Sequence, residues 1–169
     1  RVAGAQLLQY TVEKKPGSPN VVLFDTAPVR YYAADSGLIR VDAAKAQHEL
    51  PMQFHTADNR EAYTLPAGAD SVSVLLQWQD PDSGLRVERT LTLHRASYVL
   101  DQSDTVANLG SSAQSLYPFE RLSRVAPPAP PKRSFVTNPD SCSFVGTGWF
   151  TPENKFEKTP FKKYDDTTP

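Results

Sequence analysis

The sequence predicts an all-β domain of antiparallel strands, and three observations carry that prediction. Proline makes up 15 of the 169 residues, about 9% and nearly twice its usual share, and its scatter leaves little room for long helices. Residues 71–79 alternate apolar and polar side chains with a period of two, which is typical of a half-buried strand. A turn-forming cluster separates them from a second alternating run, 85–94, so the two predict a hairpin with one solvated face.

The other elements are expected to be shorter or less regular. Residues 98–109 and 114–125 extend the same meander, and Arg89 interrupts the apolar side of its run, which indicates a position near a sheet edge. Residues 43–48 favour helix, but Pro51 limits it to about one or two turns. Shorter strands are predicted over 6–12, 21–24, 29–33, 37–41, 53–56 and 62–65.

Length, charge and cysteine content exclude several classes of protein. A chain of 169 residues suits one domain over 1–169 with a substantial core. The net charge of −1 argues against a nucleic-acid binder, and apolar runs of only about four residues cannot span a bilayer. A single cysteine, Cys142, excludes an internal disulfide. Because the chain starts at Arg1 without a methionine, we expect it to be a piece of a longer protein.

A proline-rich connector is predicted over 126–132, where the run Ala-Pro-Pro-Ala-Pro-Pro favours a polyproline II conformation. The same run contains two Pro-x-x-Pro patterns, which could alternatively bind aromatic grooves of a partner. A stiff link between strands is the more ordinary interpretation of such a stretch.

Motifs for catalysis, metals or cofactors are weak. His48 and His55 are seven residues apart with a proline between them, so with Asp58 they match no known zinc spacing, and exposed loop histidines are the expectation. Residues 80–84 resemble the opening of a calcium loop, but the glycine is misplaced and a turn explains them. Cys142 could be a reactive thiol, although an inert cysteine is favoured. We therefore expect no enzyme, metal or cofactor.

The last third of the chain carries a distinctive pattern. An apolar strand with a glycine leads into a Thr-Pro-Glu turn, a Lys-Phe-Glu-Lys run and a further aromatic residue; these are Phe144, Gly146, Thr151, Pro152, Glu153, Lys155, Phe156, Glu157, Lys158 and Phe161. Three further elements, at 32–38, 62–65 and 91–99, agree in order. Together they give a chain that resembles the large first periplasmic domain of the YidC membrane protein insertases of Gram-negative bacteria.

The resemblance implies a fold, a location and partners. It implies a β-supersandwich, similar to galactose-mutarotase-like folds and truncated at its C-terminal end, in the periplasm as part of an inner-membrane protein. It also implies a non-catalytic role in docking to SecDF and the Sec translocon, while membrane protein clients belong to the full-length protein. An alternative is a carbohydrate-binding or mutarotase-like module that uses the cleft of the sandwich.

The resemblance also implies a partner-binding segment between residues 144 and 161. Aromatic anchors with cationic neighbours suit a protein interface; alternatively, the aromatic side chains fill the core and the lysines form a solvated face. Thr151 and Pro152 could also start a helix that Pro160 ends within about two turns. The candidate residues are Phe144, Trp149, Phe150, Glu153, Lys155, Phe156, Glu157, Lys158 and Phe161.

Overall fold

The computed structural model describes residues 1–126 and 144–165, and its strands confirm the all-β prediction. Each strand pairing whose register is resolved is antiparallel. The strands are β1 (Ala5–Thr11), β2 (Asn20–Phe24), β3 (Tyr32–Val41), β4 (Gln47–Glu49), β5 (His55–Thr56), β6 (Ser71–Gln79), β7 (Leu85–His94), β8 (Leu100–Asn108), β9 (Ser115–Arg124), β10 (Gly146–Thr151) and β11 (Lys155–Pro160). A 3-10 turn at Pro28–Arg30 and a single helical turn, α1 (Lys162–Asp165), accompany them.

The chain divides into two compact units. Unit 1 contains Arg1–Asp35 and the described part of Arg121–Pro169, and unit 2 contains Ser36–Glu120. One domain over 1–169 stays a prediction. The connector predicted over 126–132 lies outside the described residues except for Ala126, and so does Cys142.

Unit 2 contains the predicted hairpin as the centre of a four-stranded sheet. The strand order is β5-β6-β7-β8, and β6 pairs with β7 without interruption from Ser71 opposite His94 to Gln79 opposite Arg86. The turn between them requires Gly84, whose φ of 72° lies in the left-handed region that favours glycine. This confirms the strands and the turn that the alternating pattern predicts.

The core of unit 2 lies between two sheets. Leu38 of β3 packs in one cluster with Trp78 of β6 and with Leu85 and Val87 of β7, and Leu116 of β9 packs against it. Since β3 and β9 belong to a separate sheet of order β4-β3-β9, this part of the chain is a two-layered β-sandwich. Its relation to galactose-mutarotase-like folds stays a prediction.

Arg89 lies inside this sandwich, so the position near an edge that the sequence indicates is wrong. Its strand, β7, is flanked by β6 and β8, and the side chain is only 3% exposed. The guanidinium donates to both carboxylate oxygens of Asp104, at 2.8 and 2.7 Å, and to the hydroxyl of Ser36 at 2.9 Å. It also lies over the ring of Phe54, 4.8 Å from its centroid. The buried charge is therefore fully compensated.

Unit 1 contains the hairpin of β1 and β2, whose register shifts twice along its length. Tyr32 forms a bridge with Asp25, its ring lies 4.8 Å from that of Phe24, and the guanidinium of Arg124 lies 5.1 Å from its centroid. Arg1 donates to Asp35 at 2.7 Å. These contacts hold the first strands to the start of β3.

Three local predictions are wrong. Residues 43–48 form a turn and the start of β4 instead of a helix, because Lys45 takes a φ of 64° and Asp42 accepts the backbone N–H of Ala46. The strands predicted over 29–33 and 37–41 are a 3-10 turn followed by the single strand β3. Residues 62–65 form no strand, and 53–56 contribute only β5.

Candidate partner-binding site

The segment of the candidate residues folds as a hairpin of β10 and β11, called the aromatic hairpin below. Six residue pairs align without a bulge, from Gly146 opposite Pro160 to Thr151 opposite Lys155. The helix predicted to start at Thr151 is wrong, although the threonine does cap: its hydroxyl accepts the backbone N–H of Asn154 at 3.0 Å within the turn. Lys155 completes the turn with a φ of 56°. The residues after this hydrogen bond continue as strand β11, so the bond closes the turn of a hairpin instead of starting a helix.

One face of the aromatic hairpin is aromatic and cationic. Phe150 and Phe156 lie directly opposite each other and are 69% and 61% exposed. The ammonium group of Lys158 lies 5.3 Å from the ring centroid of Phe156 and 5.2 Å from that of Phe144. Distances of this size allow a cation–π attraction that holds the lysine between two rings. The four side chains form one stripe.

The opposite face carries the other candidates of the two strands. Trp149 is exposed and lies opposite Glu157. Lys155 precedes Glu157 by two residues on the same strand and therefore lies on the same face. Glu153 lies exposed in the turn. Phe161 lies just beyond β11, half-buried, with its ring 6.4 Å from that of Tyr164. The structure thus brings the nine candidates onto one hairpin but divides them between two faces, its turn and its end.

Two glycines allow the strands and rings of the aromatic hairpin to come close together. A Cβ at Gly146 would collide with the carbonyl oxygen of Thr159 and lie 2.8 Å from the Cα of Pro160. A Cβ at Gly148 would lie 3.2 Å from the ring of Phe156, which a small rotation of the ring can relieve. Gly146 is therefore required by the backbone, whereas Gly148 makes room for the exposed stripe.

His48 and His55 are exposed, as predicted, but the prediction that they lie in loops is wrong because both are on strands of unit 2. His48 on β4 contacts Asp42 at 3.0 Å, while His55 on β5 lies in the four-stranded sheet. His94 contacts Asp101 at 2.7 Å. Across residues 1–126 and 144–165, no group of three or more histidine, cysteine or acidic residues could hold a metal ion.

The sequence pattern misses a polar cleft of about 390 Å³ at the end of β3, called the Arg40 cleft below. The polar residues that line it are Arg40, Asp42, His48, Gln114 and Ser115. The hydrogen bond from His48 and the backbone N–H of Ala46 hold the pKa of the Asp42 carboxyl below its usual value. The lining residues come from two separate parts of the chain, 40–48 and 113–115, so no local pattern predicts the cleft as a whole. The one available signal was a β3–β4 hairpin, which places Arg40 opposite His48.

Among the helices in the described part of the chain, none has the length and apolar character that a membrane crossing requires.

Comparison with known proteins identifies the family. The family model for the YidC periplasmic domain matches residues 1–169. Proteins named membrane protein insertase YidC are similar to the chain: that of Stenotrophomonas maltophilia (strain R551-3) is 33% identical over 168 residues, and that of Xanthomonas euvesicatoria pv. vesicatoria (strain 85-10) is 32% identical over 169. These matches cover 97% and 98% of this chain, which spans only 28% and 27% of the two relatives. The chain therefore belongs to the family of YidC periplasmic domains, which confirms the resemblance found in its sequence and places it in the periplasm.

Proposed function

We propose that this chain is a non-catalytic docking domain of a membrane protein insertase and that the aromatic hairpin is its docking surface. The proposed partners are SecDF and the Sec translocon, and membrane protein clients are handled by the longer protein. The relatives carry the name membrane protein insertase, and the chain spans about 28% of the first of them. The insertion activity is accordingly proposed for the longer protein and docking for this domain.

The observation that carries the proposal is the exposed pair of Phe150 and Phe156 beside Lys158. Large aromatic side chains have few rotatable bonds to fix on binding and bury a large area, so they are frequent anchors of protein interfaces. Lys158 has no ion-pair partner among the described residues. A partner segment with apolar side chains and a carboxylate would therefore complement this stripe in both shape and charge.

Substitutions on the stripe are expected to weaken docking. Phe156→Ala removes an anchor and should lower affinity for SecDF about thirtyfold, which corresponds to the loss of about 2 kcal/mol at an interface hot spot. Lys158→Glu should lower it at least about tenfold, because it places like charges against an acidic partner. Retention of detergent-solubilised SecDF by the immobilised chain measures both effects.

The controls separate a lost contact from a lost fold. Lys14→Glu makes the same charge change at an exposed loop position of unit 1 and should leave retention unchanged. Gly146→Ala, which collides with Thr159, should abolish retention by distorting the hairpin itself. Circular dichroism must report the original strand content for Phe156→Ala and Lys158→Glu. Equal retention by these two variants and the original chain would contradict the proposed surface.

Carbohydrate binding or mutarotase-like chemistry is the second candidate, and the positions of the histidines disfavour it. That chemistry needs imidazoles and an acidic group around one ligand. His55 and His94 lie next to opposite ends of β6, and His48 lies on β4 in the other sheet, so the three imidazoles do not surround one site. Titration with galactose should therefore give no saturable change in the fluorescence of Trp78 and Trp149 at millimolar concentrations. A saturable change would favour the sugar-binding function over docking.

A further inference from the structure

The Arg40 cleft lies in unit 2 and has no part in the aromatic hairpin. Its volume of about 390 Å³ falls within the range of about 300–1,000 Å³ typical of small-molecule sites. Arg40 and His48 lie opposite each other on β3 and β4, which places their side chains on the same face of the sheet. Gln114 and Ser115 line the cleft from the segment that leads into β9.

Arg40 is the unusual group in this cleft. It is half-buried, yet within the described residues its guanidinium has neither a hydrogen-bond partner nor an ion pair. Partial burial removes some of the water that stabilises a cation, and the guanidinium presents its five N–H donors as a planar fork. An anion with two oxygens in one plane would satisfy that fork.

The acidic neighbours of Arg40 are held by other groups. Asp42 accepts the backbone N–H of Ala46 through Oδ1 at 2.8 Å, while its Oδ2 lies 3.0 Å from Nε2 of His48. The pKa of Asp80 is lowered chiefly because the Ser83 hydroxyl donates to its carboxylate, and the charge of Arg40 is only a minor cause. Neither carboxylate therefore occupies the guanidinium fork.

The cleft offers further donors beside the guanidinium. Gln114 and Ser115 line it as well, and the side chain of neither makes a hydrogen bond within the described part of the chain. An amide and a hydroxyl can each donate to an oxygen that the guanidinium does not reach. The donor set thus matches a compact oxyanion and provides no aromatic ring for stacking.

We propose that the Arg40 cleft binds a small carboxylate anion. Arg40 receives the two carboxylate oxygens in a bidentate arrangement, and Gln114 and Ser115 bind the remaining polar atoms of the ligand. The carboxylate comes from a free organic acid or from an acidic side chain of a peptide, and the cleft recognises the chemistry that the two share.

Titration of the isotopically labelled 169-residue chain with succinate tests the proposal by nuclear magnetic resonance. We expect saturable shifts of the backbone amide signals of Ala43, His48 and Ser115, and no saturation with the neutral isostere succinamide. Arg40→Gln should weaken succinate binding at least about tenfold, as expected for the loss of a charge-assisted hydrogen-bonded pair. Arg86→Gln removes an equal charge from an exposed site in the same unit and should change affinity less than about twofold.

Further arms distinguish the source of the carboxylate and guard against a folding defect. Succinate is compared with a capped tripeptide whose only carboxylate is an aspartate side chain; saturable binding of either supports the proposal, and the tighter of the two identifies the source. Arg40→Lys keeps the charge but loses the fork, so an intermediate affinity is expected even if Arg40→Gln fails to fold. Saturation by succinamide equal to that by succinate, or undiminished binding by folded Arg40→Gln, would overturn the proposal.

Discussion

Replacing Asp104 with alanine is expected to lower the free energy of unfolding by about 3–5 kcal/mol. The substitution removes both hydrogen-bond acceptors that face the guanidinium of Arg89, at 2.8 and 2.7 Å. Arg89 is only 3% exposed, so its guanidinium loses its main partner at a buried position, and water can reach it only through the site of Asp104, whose side chain is 22% exposed. The midpoint of urea unfolding, followed by circular dichroism, measures the loss.

Two comparisons make this result specific to the buried charge. Asp101→Ala on the same strand removes an exposed carboxylate paired with His94 and should cost less than about 1 kcal/mol. The double variant Arg89→Met with Asp104→Leu removes both charges and should be more stable than Asp104→Ala alone. If Asp104→Ala unfolds at the same urea concentration as Asp101→Ala, the buried pair does not stabilise the sandwich.

Replacing Leu85 with alanine is the second large expected effect, a loss of about 3 kcal/mol in the free energy of unfolding. Leu85 is fully buried and packs in one cluster with Trp78 and Val87. The smaller side chain leaves a cavity in the centre of unit 2, and its neighbours can fill that cavity only partly. Thermal unfolding recorded through tryptophan fluorescence provides the measurement.

The matched variant is Leu109→Ala, which removes the same atoms from a side chain that is 62% exposed. It should cost less than about 1 kcal/mol, because little apolar surface returns to water. Comparable losses from the two leucine variants would contradict the position of the core in unit 2.

The strands that alternate regularly could be predicted from the sequence, and the sites could be predicted only in part. The β6–β7 hairpin follows from a period of two and a turn over residues 80–84 that ends at Gly84, both of which are local properties. The candidate residues between 144 and 161 are likewise close together in sequence, so a hairpin necessarily brings them together in space. The division of these candidates between the two faces of the hairpin depends on how β10 and β11 align, and the pattern within either strand alone does not specify that alignment.

The errors lie where pairing or packing with another segment overrides a local preference. Residues 43–48 favour helix by composition, yet pairing of β4 with β3 offers backbone hydrogen bonds that a short isolated helix cannot match. The Arg40 cleft escaped prediction because Arg40 and Gln114 are more than seventy positions apart in the chain. No window along the sequence contains both.

The amino-acid sequence by itself determined the strand-rich character of this chain, its family and the segment in which aromatic and cationic residues are concentrated. These properties follow from proline content, alternation and short motifs, which neighbouring residues set among themselves. The tertiary structure alone decided that Arg89 is buried instead of lying near an edge, and that Phe150 and Phe156 are exposed instead of filling the core. The physical reason is that burial depends on partners from elsewhere in the chain: Asp104 and Ser36 compensate the charge of Arg89 inside the sandwich.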